Sequence, residues 1–164
     1  MLNIKFYSMD LYIGFTKVSL PFGWLGNMSP YPITYDSKIW KTSEALFQAL
    51  RFDDNEIREI IRLEKSPMGA KMKAKKYKSH MKITPLSKVD VSNMKMCIRL
   101  KLDQHPGLLE ELSSTRGMEI YEDVTSRPRG SGLFWGAKKT DAGWEGDNIL
   151  GKIWMSVRDN KKYV

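Results

Sequence analysis

The sequence predicts an α+β fold, a single mainly helical domain with a few short strands over residues 1–164, and three observations lead there. Apolar residues recur at helical spacing in several stretches, among them Val91, Met94, Ile98 and Leu102, and again Leu150, Ile153, Trp154 and Val157. Strand-like runs are short and bounded by turn residues, as in ITYDSKIW and MEIYEDV. With 164 residues, 41% hydrophobic and 28% charged, the chain can bury one core, and it has no repeat, low-complexity tract or long linker.

The elements follow in order. Leu2, Ile4 and Phe6 alternate with polar neighbours as in a short strand. Residues 21 to 32, PFGWLGNMSPYP, form a Gly/Pro/Asn loop, and Asp36-Ser37 turns a hairpin in ITYDSKIW. Thr42 or Ser43 caps a helix running to about Phe52, and a second helix covers 54 to 64. Ser66-Pro67 places an N-cap before a proline at the first helical position, opening a lysine-rich helix to about Lys78. The helix through Val91 and Leu102 stops at His105-Pro106-Gly107; GLLEEL reads as a further helix, and MEIYEDV as a strand. Asp147 or Asn148 caps the final amphipathic helix.

The net charge is +8, and its placement narrows the partners. Between Glu56 and Lys82, nine basic residues face three acidic ones, which holds six of the eight positive charges. Such a field attracts phosphates and polyanions, so Lys71, Lys73, Lys75, Lys76 and Lys78 are a candidate contact for DNA, against the alternative of a solvated helix face. Asn3, Lys5, Ser8 and Asp10 interrupt the apolar residues at the N-terminus, so neither a signal peptide nor a membrane partner is expected. Cys97 is the only cysteine, which forbids an internal disulfide and makes the cytoplasm the expected compartment.

WKTSEALFQALRF, at 40 to 52, raises the chemical question. Glu44, Gln48 and Arg51 stand at i, i+4 and i+7, a polar stripe on a helix otherwise rich in Leu, Phe and Ala. That stripe either lines a cleft or leaves Glu44 on a solvated face, complementing the helix dipole. In the preceding loop, Gly23 and Gly26 permit close backbone approach to a ligand and Asn27 can donate to it; taken in isolation, a plain turn is the simpler account of them. Trp135, between small residues in SGLFWGAK, is either a stacking platform for a base or sugar or a core residue. The helix opened by Asp147 or Asn148 offers N–H groups to an anion.

Other signatures are missing. His80 and His105 pair with neither Cys97 nor a carboxylate at ligand spacing, and no phosphate loop, dinucleotide fingerprint or nucleophile elbow is present. The sequence therefore predicts no metal and no cofactor, and leaves carboxylate chemistry.

These pieces together resemble the NADAR/YbiA-like family. FGWLGN precedes a Trp-x-Thr-x-Glu helix with Phe-Gln-Ala; SPMGAKM (66–72), KLDQH (101–105), FWGA (134–137) and GDNILGKIWMSVRD (146–159) follow in the same order. The match spans about residues 6 to 159. The resemblance implies hydrolysis of an N-glycosidic bond between a ribose-5-phosphate-type moiety and the exocyclic amine of a base. Two substrate types are associated with such proteins: the phosphoribosylamino-pyrimidine of riboflavin synthesis, and ADP-ribose on guanine, including guanine in DNA.

On this resemblance Glu44 is the catalytic carboxylate, stabilising the cation that develops at the anomeric carbon. Gln48 and Arg51 orient it or reach the sugar, while Asn27, Trp135 and Asn148 grip ribose, base and phosphate. Gly23, Trp40, Lys41 and Gly136, within the same motifs, complete the implied binding set, and Lys41 offers a Schiff-base route as an alternative. Asp123, Asp141, Glu145 and Asp147 are candidate second carboxylates. The chain also departs from the pattern: Ala45-Leu46 replaces His-Tyr after the glutamate, Gly132 stands for an aspartate, SRPRGS (126–131) looks like extra sequence, and a tryptophan near Leu86–Val89 is absent. With the basic patch, these tilt the expected substrate toward ADP-ribosylated guanine. A non-catalytic ADP-ribose or NAD binder and a nucleic-acid-binding protein are the competing classes.

Overall fold

The computed structural model describes residues 12–163. In chain order the elements are β1 (Tyr12–Phe15), a 3-10 turn (Gly23–Leu25), β2 (Ile33–Tyr35), β3 (Lys38–Trp40), α1 (Ser43–Ala49), α2 (Asn55–Arg62) and α3 (Pro67–Lys76). A 3-10 turn (Lys78–His80), α4 (Lys88–Gln104), α5 (Pro106–Ser113), β4 (Glu119–Glu122), α6 (Gly132–Trp135), β5 (Lys138–Thr140), β6 (Gly143–Glu145) and α7 (Ile149–Asp159) complete them. Helices with small two-stranded sheets make the α+β class expected from the sequence. The strand expected at Leu2, Ile4 and Phe6 lies outside the described residues.

The chain divides into two compact units, one of residues 27–108 and one that joins residues 12–26 to 109–163. The 27–108 unit opens with the β2–β3 hairpin, registered Ile33 to Trp40 and Tyr35 to Lys38. Asp36 and Ser37 both take positive φ, 50° and 60°, which matches the twist of a two-residue hairpin turn. Four helices follow, and each start follows from a side chain. Thr42 accepts from Ala45 N at 3.2 Å, Asp54 from Glu56 N and Ile57 N, Ser66 from Gly69 N, and Ser87 from Asp90 N. Helix α1 packs against α2, α3 and α4, and the buried face of α3 is only Ala70 and Ala74, small enough to let α1 approach closely. Leu46, Phe47, Ala49, Phe52, Ile57, Ile61, Met94, Ile98 and Leu102 supply the core of this unit. Helix α4 ends at Gln104 and α5 starts at once on Pro106, which suits a first helical turn.

In the other unit β1 runs parallel to β4, pairing Tyr12 with Glu119 and Phe15 with Glu122. YIGF is too short to announce itself as a strand, and its pairing is bought by tertiary contact with a segment more than a hundred residues away. The loop expected at 21 to 32 holds the 3-10 turn, with Trp24 and Leu25 buried. Trp154 of α7 donates its indole N–H to the Leu25 carbonyl at 3.0 Å and meets Trp24 edge-on, ring centroids 5.5 Å apart. Helix α7 packs on β4 and α6, burying Leu150, Ile153 and Trp154. The β5–β6 hairpin, TDAG at its tip, was not legible in the sequence pattern because its strands are three residues each.

Candidate active site

Helix α1 decides the status of Glu44. Its N-cap side chain occupies Ala45 N, and the Asn27 carbonyl accepts from Glu44 N at 3.0 Å and from Ser43 Oγ at 3.1 Å. Of the first-turn N–H groups, Ala45 N is thus met by the Thr42 cap and Glu44 N by the loop that precedes the hairpin. Every residue of α1 is buried, and Glu44 is only 7% exposed, so the solvated-face reading is overturned. Burying a carboxylate is costly unless donors meet it. Glu44 Oε1 accepts from Gln48 Nε2 at 2.8 Å, and among the described residues no donor meets Oε2.

The i, i+4, i+7 stripe continues beyond the helix. Gln48 Oε1 accepts from Arg51 Nη1 at 3.1 Å. Arg51 is 8% exposed, forms a two-pronged ion pair with Asp90 (Nε to Oδ1 2.9 Å, Nη2 to Oδ2 2.7 Å) and lies over the Phe47 ring. Its guanidinium is therefore committed to Gln48 and Asp90. Asp90 is a participant the sequence reading missed; only its place in the first turn of a helix set it apart. Next to Glu44 lies Cys97, whose thiol is pushed up by burial and by the Glu44 charge, which keeps it from acting as a thiolate.

Asn27 is 8% exposed; its Nδ2 donates to Met94 Sδ at 2.8 Å and its Oδ1 accepts from Ser43 Oγ at 3.4 Å. Trp40 is buried in β3, and its indole N–H has no acceptor among the described residues. Lys41 is exposed and donates to the Glu64 carbonyl at 2.9 Å. Glu44, Gln48, Arg51 and Asn27 are thus brought together within the 27–108 unit. On the same unit Lys71, Lys75, Lys76 and Lys78 are exposed, while Lys73 is half-buried 3.5 Å from Glu64.

The remaining candidates lie in the other unit. Asn148 starts α7 with φ 51°, yet its side chain does not cap that helix, contrary to the expectation for Asp147 or Asn148. Its Oδ1 accepts from Glu122 N at 3.1 Å and its Nδ2 donates to the Ile120 carbonyl at 2.8 Å, so the amide ties α7 to β4. Gly23 and Gly136 are required by their own surroundings: an added Cβ would sit 2.3 Å from the Val18 carbonyl oxygen and 2.5 Å from that of Glu122. Trp135 is half-buried at the end of α6, edge-on to Phe134. Of the candidate second carboxylates, Asp123 accepts from Thr125 N and Oγ1, and Asp141, Glu145 and Asp147 are exposed. A hollow of about 590 Å³ in this unit is lined by Tyr121, Trp144, Asn148, Lys152 and Arg158 among others. Of the residues singled out in sequence as a binding set, only Asn148 lines it.

The NADAR domain model matches residues 6–161, spanning every residue just described. This chain belongs to the NADAR family. The proteins named N-glycosidase YbiA from Escherichia coli (strain K12) and Shigella boydii serotype 4 are each 33% identical over 159 residues, covering 96% of this NADAR chain and 92% of theirs. A riboflavin biosynthesis protein of Vibrio vulnificus is 30% identical over 159 residues, 96% of this chain and 40% of that longer protein. The solution NMR structure of Escherichia coli YbiA superposes with a TM-score of 0.72 at 32% identity, covering 92% of this chain and 84% of that one, so the NADAR fold is shared. No helix of the described residues is long and apolar enough to cross a membrane. The described residues also hold no cluster of three or more His, Cys, Asp and Glu able to hold a metal ion.

Proposed function

We propose that this NADAR protein removes ADP-ribose from guanine, with Glu44 as the carboxylate at the reacting centre. It is a hydrolase of N-glycosidic bonds, as its relatives named N-glycosidase are. The observation that carries the assignment of Glu44 is its state: a buried carboxylate with one oxygen held by Gln48 and the other met by no donor among the described residues. In the reaction the bond from the ribose anomeric carbon to the exocyclic nitrogen breaks, the nitrogen takes a proton, and a water oxygen bonds to that carbon. Positive charge grows on the sugar as the bond breaks, and a preorganised carboxylate stabilises it. Asn27, Trp40 and Lys41, in the same unit as Glu44, are proposed to contact the substrate.

Two features support guanine in nucleic acid. Ala45-Leu46 and Gly132 stand where the YbiA-type pattern has larger or acidic residues, and α3 carries exposed lysines suited to a phosphate backbone. A second reading, cleavage of a phosphoribosylamino-pyrimidine, is favoured by the similarity to the Vibrio vulnificus riboflavin biosynthesis protein. The test incubates wild type and Glu44→Gln with ADP-ribosyl-guanine DNA and with the phosphoribosylamino-pyrimidine, and follows release of ADP-ribose or ribose 5-phosphate. Turnover of the DNA, reduced about 10²- to 10⁴-fold in Glu44→Gln, is expected. Turnover of the pyrimidine alone establishes the second reading. Tight ADP-ribose binding with no turnover, or full activity in Glu44→Gln, refutes the proposal.

A further inference from the structure

We infer that the buried Arg51–Asp90 pair is a positioning device for Glu44, acting through Gln48; the inference rests on the reading of Glu44 given above. An amide side chain has two faces of opposite character, and a single bond to Glu44 does not choose between them unless something holds the other end. Arg51 holds it. A guanidinium only donates, so Gln48 must turn Oε1 toward Arg51 Nη1, at 3.1 Å, which leaves Nε2 for Glu44 Oε1, at 2.8 Å. The flipped amide would set N–H against guanidinium and carbonyl against carboxylate.

Each further link is anchored to backbone. Asp90 is fully buried, takes two donors from Arg51, and accepts from Leu86 N at 2.8 Å, where Leu86 has a positive φ of 66°. The Arg51 carbonyl accepts from Lys82 N at 2.8 Å and Ile83 N at 3.2 Å, and the Phe47 ring lies 4.6 Å from its guanidinium carbon. The relay therefore runs from the start of α4 to the first turn of α1 without an exposed member. It pins Oε1 and leaves Oε2 as the oxygen offered to a substrate. A pair needed only for stability would not have to pass through Gln48 to a carboxylate.

Removing one charge of the pair strands the other in the interior and risks unfolding, so the informative variant replaces both with apolar side chains, Arg51→Met with Asp90→Leu, a change that buried ion pairs commonly tolerate. Gln48→Met cuts the relay at its middle. Kinetics are measured on the substrate turned over in the assay above, with folding checked by circular dichroism. We expect kcat to fall about tenfold to a hundredfold in both variants, as for lost outer partners of a functional group, with KM changed less than about threefold. In a Glu44→Gln background the same substitutions are expected to cost nothing further. Unchanged kcat in the folded double variant, or the same loss with and without Glu44, overturns the inference while leaving Glu44 itself standing. Full activity in Glu44→Gln, or no turnover of either substrate, instead removes the reading of Glu44, and the relay with it.

Discussion

Lys101 of α4 is fully buried, and replacing it with methionine is expected to change how stability depends on pH. Its ammonium donates to Ser29 Oγ at 2.7 Å and lies 5.2 Å from the Tyr31 ring centroid, and burial pushes its pKa down from 10.5 to about 7. The unfolded chain keeps that proton up to about pH 10.5, whereas the folded chain releases it near pH 7. Between those values the unfolded state binds more protons, so folding stability rises with pH. The gap converts to about 5 kcal/mol in full, at about 1.36 kcal/mol for each pH unit, of which about 3.5 kcal/mol falls between pH 7 and pH 10. Lys101→Met keeps the apolar stem, removes the titration, and costs about 1 kcal/mol at every pH for the lost bond to Ser29. Urea unfolding of both proteins, followed by tryptophan fluorescence at pH 6 to 10, should show the variant more stable than wild type near neutrality. That advantage should shrink by about 3.5 kcal/mol by pH 10. Groups common to both proteins cancel in the difference. A difference that does not change with pH would refute the argument that Lys101 is forced toward neutrality by burial.

Two stability tests address other parts of the fold. Asn148→Ala should cost about 2–4 kcal/mol in chemical unfolding, because it strands Glu122 N and the Ile120 carbonyl and keeps a positive φ that alanine disfavours. Ser37→Gly, at φ 60° in the β2–β3 turn, should raise stability by about 0.5–1 kcal/mol, seen as a higher melting temperature by calorimetry.

Much of the helical scaffold was legible because its signals are local. Ser66-Pro67 opens α3 as capping chemistry dictates, and Asp36-Ser37 turns the hairpin where polar residues tolerant of positive φ interrupt two short runs. Three departures have physical causes. Asn148 looked like a cap and is instead a clamp, because its left-handed backbone points the amide at the open edge of β4. Gly23 stood as a point of close approach for a ligand and Gly136 as a member of the implied binding set, while carbonyls of their own unit already fill the space beside both. Arg51 looked able to reach a sugar, and Asp90, 39 residues on, takes its guanidinium.

By itself, then, the sequence determined what neighbours along the chain can decide: Glu44, Gln48 and Arg51 in one stripe, a capped helix beneath them, and the ordered motifs of the NADAR family. The tertiary structure alone decided that this stripe is buried and which oxygen of Glu44 is held. The physical reason is range. Helical spacing places side chains four residues apart by backbone geometry, whereas burial and the choice of Asp90 as partner arise only when distant segments pack and each buried polar group must find its complement.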